Sequence, residues 1–155
     1  MKIATWNLER VTKHGKKAPV ILETLKSLKA DILVLTETDV FIDLGGEYHV
    51  RHTEKDSKTY FRPRERRVSI FSKYPINKEF KTFRSDTSLC VSVETPKGEL
   101  IIYGTVIGNR GNRNKEFKED LELQILDFKK LGTDKNLCVL GDFNISFSDS
   151  YYTVK

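Results

Sequence analysis

The stretch from Glu47 to Ile107 constrains the fold most, because it carries no helical periodicity. Short β-rich runs follow one another instead: Tyr48–His52, Val68–Ser72, Phe80–Phe83, Leu89–Glu94 and Leu100–Ile107. Turn formers at Tyr74-Pro75, Ser85-Asp86 and Pro96-Lys97-Gly98 separate them. Thr95–Glu99 (TPKGE) reads as a hairpin turn, which makes Leu89–Glu94 and Glu99–Ile107 antiparallel neighbours. Before this block, residues 2–6 read as a strand. Pro19 then opens a helix whose Ile21, Leu22, Leu25 and Leu28 recur at helical spacing to about Ala30, and Ile32–Thr36 is an apolar run short enough for a strand buried on both faces. After the block, Phe117, Leu121, Ile125, Phe128 and Leu131 mark the inner face of a second helix, with Lys118, Glu119, Glu122 and Lys129 left for solvent and Gly132 as its C-terminal cap; Leu137–Leu140 is a last strand. A doubly wound α/β sheet would keep alternating strand with helix. This order predicts a mixed β architecture flanked by helices.

Composition bounds the rest. A chain of 155 residues with 38% hydrophobic and 32% charged residues fits one globular domain, 1–155, with a substantial core. No run is long enough to span a bilayer, and MKIATWNLER meets Trp, Asn and Glu too early for a signal peptide, so a cytoplasmic setting is expected. Cys90 and Cys138 sit in apolar runs and read as buried free thiols. The formal net charge of +5 permits an anionic partner without demanding one.

Three apolar runs end in oxygen-bearing side chains: Met1–Asn7 in Asn7, Ile32–Glu37 in Glu37, and Leu137–Asn144 in Asp142 and Asn144. Buried strands do not need carboxylates at their ends, and in open α/β-type sheets ligands bind beyond the carboxyl ends of strands. A single strand-end acid is most simply a turn cap. Two acids and two asparagines, each closing a buried run, point further, to a shared cation. All the donors are oxygens, which selects Mg²⁺ or Mn²⁺ over Zn²⁺. A sparse site of that kind suits phosphate-ester chemistry, with Asp142 orienting an attacking water.

These residues carry a resemblance. TWNLE (Thr5–Glu9), LTETD (Leu35–Asp39), RVSIFSKYPI (Arg67–Ile76) and GDFN (Gly141–Asn144) resemble, in order and at about the spacing, the endonuclease/exonuclease/phosphatase superfamily of metal-dependent phosphodiesterases. The resemblance implies a deoxyribonuclease-I-like four-layer α-β-β-α sandwich, two mixed sheets face to face with helices outside, in C-terminally incomplete form. It implies that Glu37 is the principal metal carboxylate, with Asn7 beside it holding the metal site. Asp142 would position or activate the water and Asn144 would donate to the scissile phosphate. Thr105 or Asn109 would supply a further phosphate contact. Relatives end in a further strand with an Asp-His pair. Here His14, His49 and His52 all precede that place and read as solvated surface residues, and Ser148-Asp149-Ser150 mimics the motif without its histidine. A truncated product, a natural short form without activity, and completion by a second copy are the competing explanations. An unpaired sheet edge is expected to favour self-association.

Two basic stretches bear on the substrate. Arg51, His52, Lys55, Lys58, Arg62, Arg64, Arg66 and Arg67 crowd one, with Tyr60 and Phe61 inside it; Gly108–Lys115 (GNRGNRNK) is the other. Either can contact phosphates. The plainer readings are a solvated loop paired to Glu65 and nearby acids, and a turn with Asn112 or Asn114 as helix cap. Trp6, Phe71, Phe80 and Phe83 read as packing residues rather than a stacking platform. The function expected is Mg²⁺- or Mn²⁺-dependent hydrolysis of a phosphoester, most simply a phosphodiester, with nucleic acid as a candidate substrate. The rival is a non-catalytic module of the same fold that binds a polyanion or a partner.

Overall fold

The computed structural model describes residues 1–55, 62–108, 115–132 and 136–144. Its elements are β1 (Ile3–Asn7), α1 (Ala18–Ser27), β2 (Ile32–Asp39), β3 (His49–His52), β4 (Glu65–Ser72), β5 (Ile76–Phe80), β6 (Ser88–Thr95), β7 (Gly98–Val106), α2 (Lys115–Leu131) and β8 (Leu137–Asp142). They form two four-stranded sheets, ordered β1-β2-β4-β3 and β5-β6-β7-β8. Both sheets are mixed: β1 runs parallel to β2, β7 runs parallel to β8, and the remaining pairs are antiparallel.

The alternation of side chains along the strands builds the layers. Leu33 and Leu35 point to one face of β2 and join Ile21 and Leu25 of α1, with Phe71 of β4. Ile32 and Val34 point to the other face, where Val68 and Ile70 meet Leu89, Val91, Val93, Ile102 and Val106 of the second sheet. The four consecutive aliphatic residues of β2 are thus all at 0% exposure because both faces are covered. Full burial of a side chain such as Leu25 stabilises the fold by about 1.5–3 kcal/mol. On the far side of the second sheet, Phe128 and Leu131 of α2 pack on Cys90, Ile101 and Tyr103. Gly104 lets the sheets approach closely: a Cβ there would lie 2.6 Å from Val68 Cγ1 and 2.9 Å from Val34 Cγ1.

The mixed sheets, the flanking helices and the β6–β7 hairpin agree with the sequence reading, and both cysteines are free. Several expectations are corrected. The strand expected at Phe80–Phe83 is β5, which starts right after Pro75 and ends at Phe80, with an irregularity between Ile76 and Lys78. β2 does not stop at Thr36 but runs to Asp39, because β4 continues to pair with it after β1 has ended. Trp6 is 37% exposed because β1 is an edge strand, and Phe83 is 55% exposed beyond the end of β5. His52 is half-buried rather than solvated: its Nδ1 lies 2.7 Å from Ser69 Oγ and its ring meets Phe71 edge-on.

The inner face of α2 is the largest correction. Ile125 is 38% exposed, whereas Asp120, Gln124 and Asp127 are buried at 3%, 0% and 1%. The sheet below supplies polar partners for them. Tyr103 Oη donates to Asp127 Oδ2 at 2.9 Å, as does the amide of Phe83 at 3.0 Å. Thr105 Oγ1 donates to Gln124 Oε1, and the amide of Gly108 donates to Asp120 Oδ2 at 2.9 Å. Buried polar groups with satisfied bonds cost little, so the helix turns this stripe inward. No described helix is long and apolar enough to cross a membrane.

Candidate active site

The carboxyl ends of β1, β2 and β8 meet at one end of the sandwich. Asn7 closes β1 opposite Thr36, which places it beside Glu37, and Asp142 closes β8 opposite Val106. Asn7 Nδ2 donates to Asp142 Oδ2 at 2.7 Å, tying the edge of one sheet to the edge of the other. Asn7 Oδ1 accepts the amide of Glu9 at 2.9 Å, which fixes the orientation of the side-chain amide. The other oxygen of Asp142, Oδ1, accepts the amide of Asn144 at 2.9 Å.

Local backbone geometry sets up this convergence. Gly141, at φ +144, precedes Asp142, and a Cβ there would sit 1.9 Å from the carbonyl oxygen of Thr105. Only glycine lets β8 lie so close to β7 at that point. Among the described residues, the non-glycine positions with positive φ are Glu9, Arg10, Lys29, Glu37 and Asn144. All except Lys29 are at this end of the molecule. Such conformations persist where the surroundings over-determine them.

Glu37 lies inside β2 rather than in the exit loop expected for it, at φ +48 and with its side chain 22% exposed. Burial raises its carboxyl above the usual range. Arg67 opposes that shift, while the charge of Asp142 adds to it. Two carboxylates close enough to repel, in a half-buried place, are what a hard cation would relieve. The residues present therefore fit Mg²⁺ or Mn²⁺: Glu37 offers a carboxylate oxygen and Asn7 an amide oxygen, with the Asp142 carboxylate beside them. Among the described residues no group of three or more His, Cys, Asp or Glu converges. Mg²⁺ does not require one, since it commonly takes only one or two protein carboxylates.

Asn144 reaches the same end, but its side-chain amide donates to the carbonyl of Ile107 at 2.9 Å. Thr105 does not reach it: the residue is 0% exposed, under α2, with its hydroxyl on Gln124. Asn109, the alternative phosphate contact, lies outside the described residues. So do Lys58, Tyr60, Phe61, Asn112, Asn114 and Ser148-Asp149-Ser150.

The arginines of the first basic stretch have specific places, and sequence reading missed that of Arg67. Arg67 has a side chain only 4% exposed, with Nη1 3.4 Å from Glu37 Oε1 and Nη2 3.5 Å from the carbonyl oxygen of Gly108. Arg62 donates from Nε to Glu65 Oε2 at 3.2 Å. Arg64 pairs with Asp39 at 3.4 Å, and Arg66 donates to the backbone carbonyls of Pro63 and Glu65. The stretch is thus substantially engaged inside the protein. An arginine embedded in an otherwise apolar strand, as in ERRVSIFS, is the signal that could have singled out Arg67.

A model of the endonuclease/exonuclease/phosphatase family matches residues 4–154. The chain belongs to that family. Solved structures agree on the fold. Humanised zebrafish TDP2 superposes with a TM-score of 0.76 at 14% identity, over 97% of this chain and 65% of that one. Staphylococcus aureus beta toxin with bound magnesium ions gives 0.67 at 18% identity, over 94% and 65%. The Neisseria 3′ phosphatase NExo, bound to a product DNA hairpin, gives 0.65 at 18% identity, over 94% and 58%. The family fold, deoxyribonuclease-I-like, is therefore that of this chain, which spans about three-fifths of the length of these proteins. No curated protein matches it.

Proposed function

We propose that this chain carries the phosphoester-hydrolysing site of its family, acting on a phosphodiester. The observation that carries the reading is the junction of Asn7, Glu37 and Asp142 at the ends of strands from both sheets. Beta toxin binds magnesium ions and NExo is a 3′ phosphatase bound to DNA, and both support a metal-dependent reaction on a phosphate ester.

Glu37 and Asn7 would hold Mg²⁺ or Mn²⁺, which when bound polarises a phosphoryl oxygen and offsets the charge developing there. Asp142 takes the water. Its two oxygens are each fixed by one hydrogen bond, from Asn7 and from the amide of Asn144, so its remaining lone pairs point in set directions. From there it orients the nucleophile and accepts its proton. Asn144 donates to the phosphate once its amide leaves the Ile107 carbonyl.

The test is hydrolysis of bis(p-nitrophenyl) phosphate by purified protein with Mg²⁺ and with EDTA, for wild type, Glu37→Ala and Asp142→Asn. Metal-dependent turnover that both substitutions abolish supports the reading. Nucleic-acid binding without turnover supports the rival, a non-catalytic binding module.

A further inference from the structure

One peptide group beside the site is held from both sides. The N–H of Gly108 donates to Asp120 Oδ2 at 2.9 Å, and the carbonyl of the same peptide, that of Ile107, accepts Asn144 Nδ2 at 2.9 Å. A buried carboxylate of α2 therefore stands one peptide away from Asn144. The amide of Ile107 donates to the carbonyl of Asp142 at 2.9 Å, and the amide of Asn144 donates to Asp142 Oδ1. Residues 107 and 108 are thus sewn to the turn that carries Asp142 and Asn144.

Helix α2 fixes Gly108 with two residues one turn apart, Phe117 and Asp120. Gly108 lies at φ +70, and a Cβ there would stand 2.7 Å from Phe117 Cδ2. Asp120 is 3% exposed, and its other oxygen, Oδ1, receives Gln124 Nε2 and Arg84 Nη1, each at 3.4 Å. Donors converge on both oxygens, which only a side chain that accepts at both can satisfy. An asparagine in its place would turn an NH₂ toward one of them. Gln124 and Asp127 already seat α2 on Thr105 and Tyr103. What Asp120 adds is the orientation of the Ile107–Gly108 peptide. A glycine at positive φ leaves that peptide free to turn unless its N–H is held. A charge-assisted bond to the N–H also strengthens the opposite carbonyl as an acceptor.

We propose that Asp120 is a positioning residue for the hydrolysis. Through this peptide it fixes where the Asn144 side-chain amide stands, so that the amide reaches the scissile phosphate from one place rather than from a spread of rotamers. Orientation set in advance lowers the barrier of the chemical step. This rests on the reading of Glu37, Asp142 and Asn144 as the hydrolytic site.

The test has two readouts. The first is a ¹H–¹⁵N spectrum of the full chain, in which the Asn144 side-chain amide pair is assigned by its loss in Asn144→Ala. Asp120→Asn and Asp120→Ala should each shift that pair. Asp127→Asn, in the same helix and buried at 1% exposure, should lower the melting temperature and leave the pair in place. The second readout is hydrolysis of bis(p-nitrophenyl) phosphate with Mg²⁺. Each Asp120 variant should lower kcat about tenfold with KM near the wild-type value, and Asn144→Ala should lower it about a hundredfold. In the Asn144→Ala background the Asp120 substitutions should cost nothing further, because their effect passes through Asn144. A purely structural Asp120 would give additive losses. If Asp120→Ala does not fold, Asp120→Asn decides alone. An unmoved Asn144 pair, additive losses, or wild-type kcat in the Asp120 variants overturns the proposal and leaves the hydrolytic reading standing. A shifted pair in a chain that does not hydrolyse the ester supports the Asp120–Asn144 link and overturns the hydrolytic reading on which its role in turnover rests.

Discussion

Asn7 donates its side-chain amide to Asp142 at 2.7 Å, joining residues 135 positions apart and two separate sheets at the end of the sandwich. Replacing Asn7 with Leu leaves Asp142 Oδ2 without this donor in a part-buried place. The expected cost is about 1–3 kcal/mol in urea unfolding. Turnover of a phosphodiester should fall about tenfold or more as Asp142 loses its fixed orientation. Asn7→Asp should be worse, because a third carboxylate would join Glu37 and Asp142.

His52 gives the fold a pH dependence. Burial, with a smaller contribution from Arg66, lowers its affinity for a proton below the usual value of 6.5. The unfolded chain therefore takes up the proton more readily, and stability is present above 6.5 and lost as pH falls through 6.5 toward the lower folded value. Unfolding by urea at about pH 7.5 and about pH 5.5 should show that loss for wild type and a smaller one for His52→Gln. Equal losses in both proteins would remove His52 from the account.

Gly104 is required by the distance between the sheets. In Gly104→Ala the new methyl would press on Val68 and Val34. Overpacking of this kind costs about 1–3 kcal/mol, readable as a lower melting temperature. An unchanged melting temperature would mean that the sheets separate without cost.

Among the described residues β1 and β8 are terminal strands of their sheets, and the Asn7–Asp142 bond joins them. Trp6 projects from β1 with 37% exposure. Exposed strand edges template pairing with another chain, and a charge on the edge suppresses it. Sedimentation should therefore show concentration-dependent association that Trp6→Lys reduces. A wild type that stays monomeric at all concentrations contradicts this.

The strand-end acids were legible because an apolar run that closes on a carboxylate is unusual. Glu37 and Asp142 do meet at one end of the sandwich. The continuous ILVL run also announced a strand covered on both faces. Other features depend on what lies opposite in space. Helical periodicity in α2 allows more than one inward stripe. Tyr103, Thr105 and the amide of Gly108 below it favour Asp120, Gln124 and Asp127 over Ile125. Arg67 looked like part of a solvated basic run, yet β4 carries it inward to Glu37. Arg10 and Glu65 are 55 positions apart, and nothing local in either segment announces their pairing.

The most direct test of the central claim is the rate of bis(p-nitrophenyl) phosphate hydrolysis with Mg²⁺ for wild type, Glu37→Ala and Asp142→Asn, each shown to be folded by its melting transition. Metal-dependent hydrolysis in wild type is predicted, falling by at least about a hundredfold in each variant. A folded wild type without Mg²⁺-dependent hydrolysis, or variants that retain the wild-type rate, would contradict it.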